Sequence, residues 1–261
     1  MNSLIKYFGG KGTMFNNIIK HFPPKETYNI YIEPFGGSFS IGLKKEITQV
    51  EIYNDLEKNV YSLFKVLSDK NLFTEFKNKC DLLYYNEDLR SEYKKLLKTE
   101  LSIIDRATMF FYVNRTSHSG VGGFSITAIV RRNMSKSVSD FLSAIDRLPE
   151  LHQRLSNLIV TNTDGTELIK KYNQPNVLFY LDPPYEQSTR TSARYAVDMD
   201  RQQHIELLDC LNNSKAKILL SGYDCPLYDK LINFEKIQFE VKTIDGNRKP
   251  KTKIETLWKN Y

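Results

Sequence analysis

Asp182-Pro183-Pro184-Tyr185 carries the densest chemistry in the chain, and it follows an apolar run, Val177-Leu178-Phe179-Tyr180-Leu181. Each proline lacks an N–H and fixes its φ, so the pair stops a strand and stiffens the loop after it. The tetrad offers one carboxylate, backbone carbonyls and an aromatic face. That set suits a planar ring with an exocyclic amine. Asp182 and the Pro183 carbonyl can accept its two N–H bonds, and Tyr185 can stack on the ring. Two further acids sit where strands should end. Glu33 opens Glu33-Pro34-Phe35-Gly36-Gly37-Ser38, and Asp55 closes Val50-Glu51-Ile52-Tyr53-Asn54-Asp55 about twenty residues on. Glycines let backbone approach a ligand closely. An acid after the second strand is placed to hydrogen-bond ribose hydroxyls. Near the start, Lys6-Tyr7-Phe8-Gly9-Gly10-Lys11-Gly12 is a glycine loop with a cation, Lys11.

The elements that must position these residues alternate in kind. Strand-like runs at 28–32, 50–55, 158–164, 177–181 and 217–221 are separated by helical stretches. Strand, Gly-rich turn and helix make the nucleotide-cradling unit of doubly wound folds, with ligands at the carboxyl ends of strands. Helices are expected over 14–21, 54–67, 166–172 and 199–212. Leu56, Val60, Leu63, Phe64 and Leu67 form the buried stripe of the second. A final hairpin is expected from 236–244 and 254–258 around Asp245-Gly246-Asn247-Arg248-Lys249. Between 68 and 155 the character changes to charged helical sequence (71–98), an apolar run (109–113), a Gly-rich loop (114–125) and a basic step (131–136). The expected division is therefore a catalytic domain of 1–67 with 156–261, and a recognition domain of 68–155. Arg131, Arg132, Lys136, Arg248 and Lys249 are the candidates for phosphate contacts. Asn114, Arg115, His118 and Ser119 are the candidates for base edges. Arg190, Arg194 and Tyr195 suit a lid over an extruded base.

The chain has 261 residues, 41% hydrophobic and 26% charged, ordinary values for a soluble globular protein. No apolar run approaches the ~20 residues needed to span a bilayer, and no secretory pattern opens the sequence. Cys80, Cys210 and Cys225 form no C-x-x-C pair, so neither a disulfide framework nor a zinc site is expected, and no metal is. A net charge of +6 is compatible with a polyanionic partner. The expected setting is a reduced cytoplasm, without a membrane.

(D/N/S)-P-P-(Y/F/W) after an apolar strand resembles the catalytic motif of amino-methyltransferases, and the Asp form resembles the DNA N6-adenine class. Residues 6–11 are similar to the K-W-x-G-G-K opening of Dam-type (D12-class) DNA adenine methyltransferases. Residues 33–39 are similar to their E-P-F-x-G-x-G pattern, with Phe39 where the last glycine is usual. The order of Gly-rich loop, basic insertion and D-P-P-Y resembles that family, phage versions included, over nearly the whole chain. The resemblance implies an α/β fold: a Rossmann-like, S-adenosylmethionine-dependent sheet of seven strands with its last hairpin antiparallel, plus an inserted, mostly helical DNA-recognition domain. It implies S-adenosylmethionine and double-stranded DNA as ligands, a flipped adenine as target, and the host cytoplasm for a phage version. The donor would meet Tyr7, Gly10, Lys11, Glu33, Pro34, Phe35, Gly36, Gly37, Ser38, Asp55, Asp164 and Asp182. Asp164 could equally cap the helix after it. Asp182 stands against the cytosine and glutamine classes, which usually carry Ser and Asn there. An RNA adenine methyltransferase and a catalytically silent nucleic-acid-binding module are the other readings. Family members that modify GATC resemble one another in L-N-R-x-x-Y-N-G-L-x-R. Here Asn114, Arg115 and Gly120 are kept, but His118, Ser119, Val121 and Gly123 replace Tyr, Asn, Leu and the final Arg. The expected site is other than GATC, or a shorter and relaxed one.

Overall fold

The computed structural model describes residue 5 and residues 11–120, 122–186, 197–244 and 250–261. Its main sheet uses β1 (Ile30–Glu33), β2 (Val50–Asn54), β5 (Leu158–Thr161), β6 (Val177–Leu181), β7 (Lys217–Gly222), β8 (Glu235–Ile244) and β9 (Pro250–Lys259). A separate two-stranded sheet joins β3 (Val130–Arg131) to β4 (Met134–Ser135). The helices are α1 (Phe15–Ile19), α2 (Lys58–Ser68), α3 (Lys70–Asp81), α4 (Glu87–Leu96), α5 (Ile103–Thr116), α6 (Lys136–Asp146), α7 (Leu148–Leu155), α8 (Gly165–Lys171) and α9 (Arg201–Asn212).

The seven strands run in the order β5-β2-β1-β6-β7-β9-β8. β1 pairs in parallel with β2 and β6, β6 with β7, while β9 is antiparallel to β7 and β8. This is the expected Rossmann-like α/β sheet with an antiparallel last hairpin. The chain leaves β1 for β2 on one side and returns as β6 on the other, which makes the carboxyl end of β1 the switch point where such sheets hold ligands. All five residues of β6 are buried. Val177, Phe179 and Leu181, on one face, pack with Leu168 and Ile169 of α8, Leu207, Leu208 and Leu211 of α9, and Trp258 of β9. Each such side chain contributes about 1.5–3 kcal/mol when withdrawn from water. The core thus lies directly beneath the loops that end β1, β2 and β6. In the tail, β9 begins at Pro250, so 250–253 belongs to the strand rather than to the turn. The turn 245–249 lies outside the described residues.

By packing, the chain forms two units. One holds Thr13–Gly36, Lys45–Leu56 and Thr161–Tyr261; the other holds Gly37–Lys44 and Glu57–Val160, with the described residues before Thr13. The longest segment of the second unit, Glu57–Val160, carries α2 to α7 and makes it the helical unit. α2 packs with α5, α3 and α7. Its stripe is Val60, Leu63, Phe64 and Leu67, as expected, but Leu56 precedes the helix and is exposed. Asn54 is a strand residue. The helix starts late because Glu57 caps it, accepting from the N–H groups of Asn59 and Val60. α5 is the axis of this unit. The apolar run 109–113 lies within it, and Ile104, Ala107, Thr108, Phe111 and Tyr112 face inward at helical spacing. Phe111 meets Phe76 of α3 edge-on, and Tyr112 meets Phe141 of α6.

Candidate active site

β6 ends at Leu181, and the next residues alternate in burial: Asp182 half-buried, Pro183 buried, Pro184 half-buried, Tyr185 buried. The Asp182 Oδ1 accepts a hydrogen bond from Ser221 Oγ of β7 at 3.1 Å. Ser221 Oγ also lies 3.2 Å from the Leu181 carbonyl and 3.1 Å from the Tyr180 hydroxyl. Burial, with the Asp182 carboxylate nearby, pushes the Tyr180 phenol well above its ordinary pKa. Tyr185 is only 7% exposed. Its hydroxyl donates to the buried Glu255 carboxylate of β9, and its ring meets Tyr223 edge-on at 4.5 Å. The stacking face expected of Tyr185 is therefore mostly enclosed by protein.

On the other side of the switch point, Glu33 ends β1 and is 3% exposed. Tyr31, two residues back and so on the same face of the strand, donates from its hydroxyl to Glu33 Oε1 at 2.6 Å. Beyond Glu33 the chain turns against β2. A Cβ at Gly36 would lie 2.2 Å from the Tyr53 ring, and one at Gly165 would lie 2.7 Å from the Phe35 ring. Backbone fits at both places and a side chain does not, so the two glycines let the loop after β1 pack against the Tyr53 ring of β2 and the start of α8 pack against Phe35. Asp55, 9% exposed, follows β2. An acid at a strand end often caps the helix that follows, but here the cap of α2 is Glu57. Strand order β2-β1-β6 sets Asp55, Glu33 and Asp182 at the carboxyl ends of three adjacent strands.

Asn54 is the residue that sequence reasoning missed. It is fully buried, and its Nδ2 donates to the carbonyls of Pro34 and Thr163, both at 2.8 Å. Its Oδ1 accepts from Thr161 Oγ1, Thr163 N and Thr163 Oγ1 at 2.8–3.2 Å. One side chain ties together the loops after β1, β2 and β5. The available signal was its place beside Asp55 at the end of an apolar strand. Asp164 takes the capping role: its Oδ1 accepts from the N–H groups of Thr166 and Glu167 at the start of α8.

In the helical unit, Lys11 is 4% exposed. Gly37 has φ 47° and Phe39 φ 51°, so Phe39 takes up the left-handed backbone that a glycine would adopt freely. Its fully buried ring packs edge-on against Phe64 and covers Gly42, where a Cβ would lie 2.2 Å from the ring. Ser38 Oγ and Ser40 Oγ are 2.6 Å apart. Tyr7, Gly10, Arg190, Arg194, Tyr195, Arg248 and Lys249 lie outside the described residues.

The expected base-reading loop is corrected at its start. Asn114 and Arg115 close helix α5 instead of opening a loop. Asn114 is 4% exposed, and its Nδ2 lies 3.5 Å from the Gly120 carbonyl. Burial lowers the Arg115 pKa, and its Nη2 lies 3.4 Å from the Asp140 carbonyl. Polar residues hid the helix end because α5 is surrounded by other helices and holds them inside. His118 is exposed and begins a single 3-10 turn that also includes Ser119. Buried Arg90 pins this loop, donating to Ser117 Oγ and the Gly122 carbonyl. Arg131, Arg132 and Lys136 are exposed. Arg132 and Asn133, with φ 53° and 57°, form the two-residue turn of the β3–β4 hairpin. Arg131 and Lys136 both pair with Asp140.

A family model described as D12 class N6 adenine-specific DNA methyltransferase matches residues 7–248 of this chain. No curated protein matches it. Among the described residues no group of His, Cys, Asp and Glu could hold a metal, and no helix is long and apolar enough to cross a membrane.

Proposed function

The chain belongs to the D12 class of N6 adenine-specific DNA methyltransferases, and on that premise we propose that it moves a methyl group from S-adenosylmethionine to N6 of an adenine turned out of duplex DNA. The observation that carries the reading is the set Asp55, Glu33 and Asp182 at the carboxyl ends of adjacent strands, with Asp182 in the stiff Asp-Pro-Pro-Tyr loop. Carboxylates suit a donor with cationic groups and ribose hydroxyls. When bound, S-adenosylmethionine supplies an electrophilic sulfonium methyl. Glu33 and Asp55 would hold it, with Pro34, Phe35 and Gly36 forming the cradle between them.

The adenine amine is a poor nucleophile because its lone pair is delocalised into the ring. Asp182 and the Pro183 carbonyl accept its two N–H bonds, localise that lone pair and stabilise positive charge as nitrogen becomes tetrahedral. The remainder is positioning. A stacked base cannot present N6 to a donor, so the target leaves the helix. The experiment is transfer of labelled methyl from S-adenosylmethionine to unmodified duplex DNA and, in parallel, to RNA, followed by nucleoside analysis. Label in cytosine, or in RNA alone, would refute the reading.

Donor binding is expected to depend on Asp55. Asp55→Ala should weaken S-adenosylmethionine binding by about 1.5–3 kcal/mol, the range for a hydrogen bond to a charged group. Calorimetry with unchanged affinity would leave Asp55 with a structural role only.

Duplex DNA would meet the β3–β4 hairpin, whose Val130 is exposed beside Arg131, Arg132 and Asn133. The pairs Arg131–Asp140 and Lys136–Asp140 are exposed, and such pairs contribute only about 0–1 kcal/mol, so phosphates can replace them at little cost. Replacing Arg131 and Arg132 together with Ala should weaken binding to every sequence and flatten the salt dependence by about 1–2. An unaltered slope would place DNA on another face.

The target is expected to be a site other than GATC, or a shorter one. Arg reads guanine and Asn reads adenine through paired bonds, each contributing about 1–3 kcal/mol of discrimination. Gly123 and Ser119 stand where those readers are usual. Base-resolution mapping of N6-methyladenine after reaction with unmodified genomic DNA decides this; strict confinement to GATC would show the expectation wrong.

A further inference from the structure

We propose that Tyr180 and Ser221 form a hydroxyl relay that positions the Asp182 carboxylate for transfer, acting through Asp182 and not on the substrate. The inference rests on the role proposed above for Asp182. Tyr180 is the fourth residue of β6 and Ser221 the fifth of β7, and the parallel register pairs Tyr180 with Leu219 and Leu181 with Leu220. Ser221 therefore sits beside the end of β6, where Asp182 leaves it. The hydroxyls of Tyr180 and Ser221 are 3.1 Å apart, and Ser221 Oγ is 3.1 Å from Asp182 Oδ1. Tyr180 is 2% exposed and Ser221 fully buried, so water does not substitute for either.

The direction of the relay follows from proton count. Ser221 has one hydroxyl proton and several acceptors around it. When it donates to Asp182, the bond to Tyr180 is satisfied only if Tyr180 donates. Tyr180 keeps its proton because burial and the Asp182 charge oppose its ionisation. A donor that itself accepts a bond is polarised, and hydrogen bonds in such chains strengthen one another. The carboxylate is thereby held from a neighbouring strand of the sheet, independently of the proline loop. Small misplacement of a group that must meet an amine is costly in rate.

The test separates positioning from folding by using both partners. Ser221→Ala leaves the Tyr180 hydroxyl buried and unpaired, so it should lower both thermal stability and the single-turnover rate of methyl transfer. The rate should fall about tenfold, with donor affinity by calorimetry within twofold of wild type. Ser221→Ala with Tyr180→Phe removes both polar groups; it should regain most of the stability but none of the rate. Tyr180→Phe alone leaves the Ser221 bond to Asp182 and should cost about threefold. A Ser221→Ala rate equal to wild type overturns the relay, and so does a double variant whose rate recovers together with its stability. Rates are read relative to wild type on whichever amine the wild-type chain methylates. Failure of the adenine assignment is thus seen in the wild type, and failure of the relay in the ratios.

Discussion

Asp182→Ala is expected to lower the single-turnover rate of methyl transfer by about 10²–10³-fold while fold and donor affinity stay close to wild type. The carboxylate sits at the end of a fully buried strand, in a loop that two prolines stiffen. It is the only carboxylate in that tetrad, and positive charge grows on the nitrogen that it faces in the proposed mechanism. Losing one pre-positioned group of this kind costs about 3–4 kcal/mol in the barrier. The fold should tolerate the change. Ser221 loses one acceptor, yet the Leu181 carbonyl remains 3.2 Å from its hydroxyl. Tyr180, whose bond is to Ser221, loses nothing directly. Single-turnover rates, donor calorimetry and thermal melting on one preparation separate these effects. A variant that works within a few-fold of wild type would remove Asp182 from the chemistry. A variant that melts far below wild type would mean that its main role is structural.

Asn54→Ala should be among the most destabilising substitutions in the sheet unit, by about 3–5 kcal/mol. The side chain is fully buried and bonds to groups of Pro34, Thr161 and Thr163. Each buried polar atom left without a partner costs about 1–3 kcal/mol. The sum is reduced because the loops relax and water enters near the surface. The loss should also reach the donor site, since the loops that Asn54 joins carry Glu33, Asp55 and Asp164. Denaturant unfolding measures the first effect, and donor calorimetry at a temperature where the variant is folded measures the second. A cost below ~1 kcal/mol would show that the bonds around Asn54 are replaced by water without loss.

The sequence by itself determined the parts whose physics is local. An apolar run closed by two prolines became β6 and its loop, because two successive residues without an N–H cannot continue the pairing of a strand that has neighbours on both sides. Glu33 and Asp55 fell at strand ends because the strands before them are short and apolar and glycine or charge follows. The family was legible for the same reason: its motifs are contiguous, and they span the insertion. The final hairpin was legible from alternating strands around a turn signal, though β9 starts before the expected residue.

Tertiary structure alone decided which residues meet across the sheet. Ser221 reaches Asp182, and Tyr185 reaches Glu255, only because β7 lies beside β6 and β9 beside β7. No local pattern encodes that order. Burial was likewise decided at a distance. Asn114 and Arg115 have the composition of a loop, but α5 is packed by α2, α3, α4 and α6, and its last turn is enclosed with the rest. Phe39 holds a glycine-like backbone where the family pattern has glycine. A ring packed against Phe64 and over Gly42 gains enough burial to offset the strain of a left-handed φ. In each case the deciding term is the free energy of a contact between residues far apart in sequence, which exists only once the strands and helices have taken their places.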